Sequence, residues 1–550
     1  MTPIYQEYYR EITSPDGTVT GIETRWDRHF NFAYDVIDRF AKEAPDRLAL
    51  VHKSTLGTIT NYTFGGMKRL SDRAANALAA LGIGRGTPVF LLLKRRAEFW
   101  IAILALHKLG AIAVPTSHMV SAEDIAQRTS AAGAKAVICV NSENICEKVA
   151  EAVRGTDILP IAVGEPCGGF LSFAALLEQA DEERARVETD VTDPMLYYFT
   201  SGTNGAPKAV IHDFSYPIAH IYTAKCWHGV REGDLHLTVA DTGWAKTAWG
   251  KLYGQWFLGA AILVFDYDRF YAGEFLKLLT EQKVNTFCAP PTIYKYLVLE
   301  DLKAYDWSHL RNVATAGEPM PGEVARKFTE ATGKVIRDGF GQTETALLIC
   351  TPVGGTPVPG SLGKASPQYR LALYDADGNP VPDGGEGEIV ILPADSTRPV
   401  GILAGYLGEP DRYADVWRGG VYHTGDRARK DAEGSYYFVG RTDDVIKSSG
   451  YRIGPSEVED ILMRHPAVRE CAVTGYPSKT RGTVVKASII LKDGYTGDAR
   501  LKTALQDLVK TEGAIYKYPR IIDFVPDLPR TSNGKISRAA IRERDNRENR

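Results

Sequence analysis

The stretch YYFTSGTNGAPKAVIH, residues 197–212, decides how the rest of the chain is interpreted. Apolar and aromatic residues lead into small, hydroxyl-bearing and glycine residues, and after Lys208 the chain turns apolar again. Glycine lets a backbone approach an anion closely, successive N–H groups can form an anion-binding nest, and lysine adds charge. It is not a P-loop, because GxxxxGK[ST] is absent, and a plain turn between two strands is the alternative interpretation. The predicted phosphate-binding residues are Thr200, Ser201, Gly202, Thr203, Asn204, Gly205, Ala206, Pro207 and Lys208.

Around this stretch, helix-like and strand-like segments alternate. DRAANALAALGI and EFWIAILALHKLG have helical periodicity, whereas TPVFLLL and AKAVICV are short β-branched runs. That alternation predicts an α/β fold of layered subdomains with largely parallel sheets. Residues 368–392 differ, since two strand-like runs flank Gly- and Pro-rich turns, which predicts an antiparallel, small β-barrel-like subdomain.

A domain boundary is predicted near GRTDDVIKSSG, residues 440–450. Residues 443–550 carry 20 Lys and Arg against 15 Asp and Glu, a net charge of +5, so the rest of the chain carries −8. We therefore expect a large N-terminal domain, residues 1–442, and a small, mobile α+β domain, residues 443–550. A basic small domain beside an acidic large one indicates an anionic ligand, although a solvated basic surface would give the same balance.

Composition excludes several classes of protein. The formal net charge of −3 over 550 residues gives no reason to expect nucleic acid as a partner. Seven dispersed cysteines without a CxxC pair indicate reduced thiols and a cytoplasmic location. The first residues, MTPIYQEYYREITSPDG, lack the apolar core of a signal peptide. The most apolar segment, residues 99–115, contains His107 and Lys108 and is too short to span a bilayer.

Four further motifs follow in order along the chain: GEP at 317–319, DGFGQTET at 338–345, YHTGDRARKDAEGSYYFVGRTDDVIKSSGYRIGPSEVE at 422–459, and LPRTSNGKI at 528–536. With the 200–208 run, they resemble the acyl-adenylate-forming, or AMP-binding, superfamily over roughly residues 190–540. SSGYRIGPSEVE, RPVGILAGY, LMRHPAV, VVKASIIL and YKYPR are similar to the medium-chain acyl-CoA synthetases.

The resemblance implies an enzyme, an AMP-forming acid–thiol ligase that uses ATP, Mg²⁺ and coenzyme A. A carboxylic acid would be activated as acyl-AMP and then transferred to the CoA thiol. The implied catalytic residues are Thr343 at the α-phosphate, Glu344 as the Mg²⁺ ligand and Lys535 at the phosphate oxygens during adenylation. The implied nucleotide-binding residues, besides the 200–208 run, are Gly317, Glu318, Asp338, Gly339, Phe340, Gly341, Gln342, Asp426 and Arg441.

The resemblance also implies that the small domain rotates about Asp443, so that Lys535 leaves before thioester formation. Gly450 would keep a pantetheine tunnel narrow. The full set of implied CoA-binding residues is His118, Ser449, Gly450, Tyr451, Arg481, Lys510, Tyr518, Pro519 and Arg520.

The acyl pocket is expected beneath the GQTE segment, lined by Trp244 of ADTGW, Gly341, Ala346 and Arg452, with the CAPPT turn at 288–292 as a further candidate. Acetate-specific relatives carry tryptophan at the position of Gly341, so glycine predicts room for a medium-chain, branched or aromatic acid. AWGKLYGQW, residues 248–256, has no counterpart that we could match, and it could reshape the pocket.

Other functions stay open from the sequence. One is a stand-alone adenylation enzyme that loads a carrier protein, but no carrier motif follows residue 540. A luciferase-like oxygenase shares the adenylation half-reaction. An ATP-binding regulatory protein should lack catalytic residues, yet Thr343, Glu344, Asp426, Arg441 and Lys535 are present. A homodimer is left open.

Overall fold

The computed structural model describes residues 3–165, 167–201, 207–394, 397–442, 444, 446–448, 451–478, 482–512, 515–531 and 535–548. The chain divides into two compact units. The first contains Met1–Arg370 and Pro393–Asp415, and the second contains Leu371–Leu392 and Val416–Arg550. The second compact unit therefore begins before residue 443 and includes strands from the first predicted domain. The predicted division into domains 1–442 and 443–550 stays a prediction.

The strands, in chain order, are β1 Tyr9–Thr13, β2 Val19–Thr24, β3 Leu48–Lys53, β4 Ile59–Thr63, β5 Pro88–Leu92, β6 Ile112–Pro115, β7 Ala136–Val140, β8 Leu159–Val163, β9 Leu171–Ser172, β10 Pro194–Ser201, β11 Pro207–Asp213, β12 Leu235–Thr238, β13 Ala261–Phe265, β14 Thr286–Cys288, β15 Asn312–Ala316, β16 Ile336–Gly341, β17 Leu347–Cys350, β18 Gly363–Ala365, β19 Arg370–Tyr374, β20 Glu386–Leu392, β21 Gly405–Tyr406, β22 Tyr422–Lys430, β23 Ser435–Arg441, β24 Ile446–Ser448, β25 Tyr451–Ile453, β26 Val468–Ser478, β27 Gly482–Leu491 and β28 Ile521–Phe524.

The α-helices are α1 Arg39–Glu43, α2 Phe64–Ala80, α3 Glu98–Leu109, α4 Ala122–Ala132, α5 Ile145–Ala152, α6 Phe173–Glu178, α7 Tyr216–Tyr222, α8 Lys246–Gly250, α9 Tyr253–Phe257, α10 Ala272–Glu281, α11 Pro291–Leu297, α12 Gly322–Thr332, α13 Pro410–Val416, α14 Pro455–Leu462, α15 Ala499–Glu512 and α16 Arg538–Glu548. Short π-helical segments, Ala33–Asp38 and Thr223–Trp227, precede α1 and follow α7, and 3-10 turns lie at Ile4–Glu7, Leu302–Ala304 and Arg418–Gly420.

Two sheets organise the first unit. In one, the order is β21-β11-β10-β6-β5-β7-β8-β9, and its strands from β10 to β9 run parallel. In the other, β16-β15-β14-β12-β13-β3 run parallel, and the outer strands β18, β17 and β4 pair antiparallel. This confirms the predicted α/β class with largely parallel sheets.

The main core of the first unit is built around α3, which is mostly apolar and buried from Phe99 to Leu109. Four of its side chains, those of Phe99, Trp100, Ile103 and Leu106, are fully buried. A helix that is apolar on most of its surface belongs inside a protein, and α3 is such a buried helix within residues 99–115. No described helix is long and apolar enough to cross a membrane.

The second unit contains the sheet β19-β20-β22-β23, the ribbon β24-β25 and the sheet β26-β27-β28. β20, β22 and β23 pair antiparallel. The two strands within the predicted 368–392 region, β19 and β20, are hydrogen-bonded neighbours. Barrel closure stays a prediction. In the C-terminal part, β27 and β28 are parallel and pack with α14 and α15, which agrees with the predicted α+β character.

Candidate active site

Four of the predicted segments meet at one edge of the mainly parallel sheet of the first unit. ADTGW follows β12, CAPPT extends from the end of β14, GEP follows β15, and the GQTE segment extends from the end of β16. These strands are parallel neighbours in the order β12-β14-β15-β16, so their carboxyl ends lie side by side. The carboxyl edge of a parallel sheet is where α/β proteins bind ligands. The fold therefore gathers segments from Ala240 to Glu344 of the chain.

The predicted adenine-side residues lie on adjacent strands. The register pairs Thr315 with Asp338 and Ala316 with Gly339, which places Gly317 next to the end of β16. The Asp338 carboxylate accepts a hydrogen bond from its neighbour Gly339 N at 2.8 Å. Burial nevertheless raises the pKa of Asp338 to about 7, so this carboxyl titrates near neutrality.

Glu318 links two of these segments. Its carboxylate accepts a hydrogen bond from the Thr292 hydroxyl at 3.2 Å, which joins GEP to CAPPT. Lys246 of α8 donates to the Ala316 carbonyl oxygen at 2.8 Å and so joins ADTGW to the same place. The sheet edge is thus cross-linked by side chains, which fixes the relative positions of its loops.

Lys208, at the end of the phosphate-binding run, contacts Glu344 of the GQTE segment. Lys208 Nζ lies 2.6 Å from Glu344 Oε1, and their side chains are 21% and 11% exposed. The Tyr406 hydroxyl donates to the same carboxylate oxygen at 3.2 Å and lies 3.4 Å from Lys208 Nζ. Two predicted functional residues 136 positions apart therefore form one cluster with Tyr406, a residue that the sequence did not single out.

The Glu344 carboxylate fits the expected magnesium ion. It is largely buried, it already lies against a cation, and carboxylate oxygens are ligands that Mg²⁺ prefers. Since Mg²⁺ is held by one or two protein carboxylates together with substrate phosphates, the Glu344 carboxylate suits the expected donor set.

His212 makes a hydrogen bond to the backbone of the GQTE segment. Its ring is buried and stacks on Tyr216 with centroids 3.8 Å apart. Burial lowers the pKa of His212 to about 4, so the neutral imidazole donates from Nε2 to the Thr343 carbonyl oxygen at 2.7 Å. This contact fixes the residue that was predicted to meet the α-phosphate.

The phosphate-binding run bridges β10 and β11, which form an antiparallel hairpin. The register pairs Thr200 with Lys208 and Ser201 with Pro207. The Thr200 hydroxyl oxygen is buried and has no hydrogen-bond partner within the described ranges. Gly202, Thr203, Asn204, Gly205 and Ala206 lie outside the described residues, as do the side chains of Ser201 and Pro207.

Asp241 contacts two predicted site residues. One is His118, which was predicted to bind CoA, and the other is Trp244, which was predicted to line the acyl pocket. His118 Nδ1 lies 3.0 Å from Asp241 Oδ2. The other carboxylate oxygen accepts from Gly243 N at 2.8 Å, and the Asp241 carbonyl accepts from Trp244 N at 3.0 Å. Trp244 is half-buried and its Nε1 finds no acceptor among the described residues. Asp241 was missed by the sequence interpretation.

The space beside Gly341 is filled rather than open. A Cβ atom on Gly341 would lie 2.3 Å from Trp249 Cη2 and 2.5 Å from the Ala346 carbonyl oxygen. Trp249 belongs to the unmatched AWGKLYGQW segment, so that segment does reach the predicted pocket. The position that a side chain at residue 341 would take is thus occupied by an indole from α8, and the extent of the acyl pocket stays a prediction.

In the second unit, the predicted ribose-side residues are cross-strand partners. The register pairs Asp426 of β22 with Arg441 of β23, and Arg441 Nη1 lies 3.3 Å from Asp426 Oδ1. Glu388 of β20 supports the turn before Asp426, because it accepts from Gly425 N at 2.8 Å and lies 2.9 Å from His423 Nδ1. Glu388 was also missed, although its place in the strand-like run EGEIVIL was visible.

Three predicted CoA residues form a cation–aromatic cluster in the second unit. Lys510 Nζ lies 4.7 Å and Arg520 Cζ 4.9 Å from the centre of the Tyr518 ring, and the Tyr518 hydroxyl accepts from Arg520 at 2.8 Å. Pro519 is buried beside them and its carbonyl accepts from Gln506. Lys535 is exposed, and its carbonyl oxygen accepts from Thr531 N at 2.7 Å. The predicted residues Ser449, Gly450, Arg481 and Asp443 lie outside the described residues, as do the side chains of Tyr451 and Arg452.

Comparison with known proteins identifies the family of this chain. The family model described as AMP-binding enzyme matches residues 37–406, and the model of the AMP-binding enzyme C-terminal domain matches residues 457–535. The chain therefore belongs to the AMP-binding enzyme family. Membership confirms the predicted ligase class, an ATP-dependent, AMP-forming acyl-CoA synthetase with CoA as co-substrate.

Several known proteins are similar to this chain over nearly its whole length. Human "Acyl-coenzyme A synthetase ACSM4, mitochondrial" is 38% identical over 530 residues, which cover 94% of this chain and 91% of that protein. The Brucella canis acyl-CoA synthetase structure is 33% identical, with a TM-score of 0.72 and coverage of 95% and 96%. The anthranilate CoA ligase AuaEII, solved with anthranoyl-AMP, is 29% identical, with a TM-score of 0.85 and coverage of 95% and 99%.

Proposed function

We propose that this enzyme activates a carboxylic acid at the cluster formed by Lys208, Glu344 and Thr343, and then transfers the acyl group to coenzyme A. The observation that carries this proposal is the 2.6 Å contact between Lys208 and Glu344, which joins the phosphate-binding run to the GQTE segment. Phosphoryl transfer depends mainly on positioning and on compensating charge, and this cluster supplies both.

In the first half-reaction, an oxygen of the acid attacks the α-phosphorus of ATP, and the bond to the bridging oxygen breaks to release pyrophosphate. Lys208 and the orphaned Thr200 hydroxyl are proposed to bind the β- and γ-phosphates. Thr343, held by His212, is proposed to donate to the α-phosphate. Glu344 would hold Mg²⁺, which neutralises phosphate charge when bound. Lys535 is proposed to stabilise the phosphate oxygens in this half-reaction alone.

In the second half-reaction, the CoA sulfur attacks the acyl carbonyl carbon and AMP leaves with its phosphate. Lys510, Tyr518 and Arg520 are proposed to bind the CoA nucleotide. The two cations can bind its phosphates, and the aromatic ring can stack on its adenine. His118, fixed by Asp241, is proposed to contact CoA as well.

The acid is proposed to be medium-chain, branched or aromatic. An aromatic acid is favoured by the similarity to the anthranilate CoA ligase. The cytoplasm as location and a homodimer as assembly also remain proposals. The word mitochondrial in the name of the human relative describes the location of that relative alone.

The test is acid-dependent AMP release with ATP, Mg²⁺ and CoA across acetate, butyrate, isobutyrate, 2-methylbutyrate, hexanoate, octanoate and benzoate. Turnover of at least one acid to its CoA thioester is expected. If acids support ATP–pyrophosphate exchange but no acid gives a thioester, the CoA assignment is wrong and a carrier protein becomes the acceptor.

A further inference from the structure

Three of the seven cysteines meet in the first unit. Cys139 lies on β7, Cys146 on α5, and Cys167 in the segment that follows β8. The sulfur atoms of Cys139 and Cys146 are 3.9 Å apart. The Cys146 thiol also interacts with the Cys167 thiol. Three nucleophilic groups that are dispersed in the sequence therefore form one group in the fold, which we call the thiol cluster.

The fold holds the segments of Cys146 and Cys167 side by side. Both cysteines follow the carboxyl ends of β7 and β8, which are parallel neighbours in the sheet. Asn141 joins the two connecting segments, because its backbone N donates to the Val163 carbonyl oxygen at 2.8 Å and its Nδ2 donates to the Glu165 carbonyl oxygen at 3.0 Å. The two segments that carry the thiols are thus tied to each other just after the strands end.

The three thiols have different surroundings. Cys139 is fully buried, Cys146 is 2% exposed and Cys167 is half-buried. The hydrogen bond with the Cys139 thiol lowers the pKa of Cys146 to about 7, whereas burial raises the pKa of Cys167 to about 11. The thiolate is the form of cysteine that reacts with oxidants. Cys146 therefore supplies a thiolate at neutral pH, and Cys167 is its more accessible neighbour.

Glu143, three residues before Cys146, makes a demanding contact with Lys94. The Lys94 side chain is 1% exposed, and its Nζ lies 2.9 Å from Glu143 and 2.8 Å from Asp268. A buried cation depends on such carboxylates, because water cannot replace them. Glu143 and Lys94 both have a left-handed backbone, with φ of 54° and 47°, which residues other than glycine rarely adopt. A small displacement of the start of α5 therefore disturbs this pair.

The same lysine reaches the segment of the predicted site. The Lys94 carbonyl oxygen accepts a hydrogen bond from the Thr242 hydroxyl. Thr242 follows Asp241 in ADTGW, the segment after β12. Contacts thus lead from the thiol cluster through Glu143 and Lys94 to the residues that hold His118 and Trp244.

We propose that the thiol cluster is a site of reversible oxidation by hydrogen peroxide, at which a disulfide between Cys146 and Cys167 slows turnover. The Cys146 thiolate attacks one peroxide oxygen, and the O–O bond breaks to leave a sulfenic acid and hydroxide. The Cys167 sulfur then attacks the sulfenic sulfur, the S–O bond breaks, and the hydroxyl leaves with the Cys167 proton as water. The two cysteines lose two electrons to the peroxide, and a dithiol returns them.

The disulfide draws the start of α5 towards the segment after β8 and moves Glu143 away from Lys94. The buried lysine then keeps Asp268 as its neighbouring carboxylate, and its carbonyl shifts against Thr242. The effect on turnover follows from this shift of ADTGW. The turnover readout rests on the proposed function, whereas formation of the disulfide does not.

The experiment treats the reduced, full-length enzyme with hydrogen peroxide. Peptide mass mapping identifies the disulfide, and acid-dependent AMP release with ATP, Mg²⁺ and CoA measures turnover. The wild type should form the Cys146–Cys167 disulfide and lose turnover at least about fivefold, the lower end of typical coupling between two sites. Dithiothreitol should restore both the free thiols and the rate.

Cys146→Ser should form no disulfide and keep its turnover within about twofold after peroxide, since it lacks the reactive thiolate. Cys226→Ser is the matched control, because Cys226 is also half-buried but lies outside the thiol cluster, and it should respond as the wild type does. Thermal unfolding shows whether each variant folds, and Cys146→Ala replaces Cys146→Ser if the latter does not.

Absence of the disulfide in the peroxide-treated wild type overturns the proposal, as does a disulfide that leaves turnover unchanged. A disulfide between Cys139 and Cys146 instead overturns the role of Cys167. Equal loss of turnover in folded Cys146→Ser places the damage elsewhere and also overturns the proposal. If the reduced wild type turns over no acid, the proposed function is wrong, and peptide mapping still decides whether the disulfide forms.

Discussion

The contact between Lys208 and Glu344 gives the sharpest test of the site. We consider Lys208→Met, Glu344→Gln and the double variant. At 2.6 Å, with an effective dielectric constant of about 20, the gross attraction is about 6 kcal/mol. Desolvation of two largely buried groups offsets most of it, so we expect a net coupling free energy of about 2 kcal/mol.

Equilibrium urea unfolding, followed by tryptophan fluorescence, measures this coupling. Each single variant should lose about 2 to 3 kcal/mol, because it leaves one charge without its partner. The double variant should lose about 2 kcal/mol less than the sum of the two single losses. Tyr406→Phe is a useful control, since it keeps the charged pair and removes only the neutral hydroxyl at 3.2 Å.

The same variants connect the contact to activity. Glu344→Gln should reduce ATP–pyrophosphate exchange by about 10² to 10³-fold and should raise the Mg²⁺ concentration needed for half-maximal rate. Lys208→Met should slow exchange and leave the Mg²⁺ requirement unchanged. Additive stability losses, within about 0.5 kcal/mol, would refute the reasoning, because they would mean that the two motifs are not energetically joined.

Further variants test the other groups. Lys535→Ala should reduce adenylation by several orders of magnitude and spare thioester formation from supplied acyl-AMP; equal loss of both half-reactions contradicts its role. His212→Phe keeps the stacking but removes the donor to Thr343, so pyrophosphate exchange should fall about tenfold, and an unchanged rate would exclude this support. The pKa of Asp338 is raised from 3.8 to about 7, so the folded state binds the extra proton and stability falls as pH rises from about 4 to 7; Asp338→Asn should flatten that slope in urea unfolding measured at several pH values. Burial lowers the pKa of Lys251 from 10.5 to about 7, so wild-type stability should rise between about pH 7 and 10, and Lys251→Met should not show this rise.

The sequence predicted the parts of this protein that follow from local pattern. Alternating periodicity indicated α/β layers, because side chains repeat every 3.6 residues in helices and every second residue in strands. Glycine, hydroxyl and lysine residues in 200–208 indicated an anion site for reasons of local chemistry. The ordered motifs then gave the family, which the comparisons confirm.

Residues that act through distant partners were not predictable in this way. His212, Tyr406, Asp241 and Glu388 each hold a predicted residue in place from another strand or loop. No short-range pattern distinguishes such a histidine or carboxylate from one that is merely buried or solvated. The signal appears only when sheet register brings the two segments together.

The acyl pocket shows the same division most clearly. By itself, the sequence determined that position 341 is glycine and therefore has no side chain of its own. Only the tertiary structure decided what fills the space, because β16 and α8 are about 90 residues apart and meet through packing. Local chemistry fixes which groups are present, whereas close packing of distant segments decides which volume is left for a substrate.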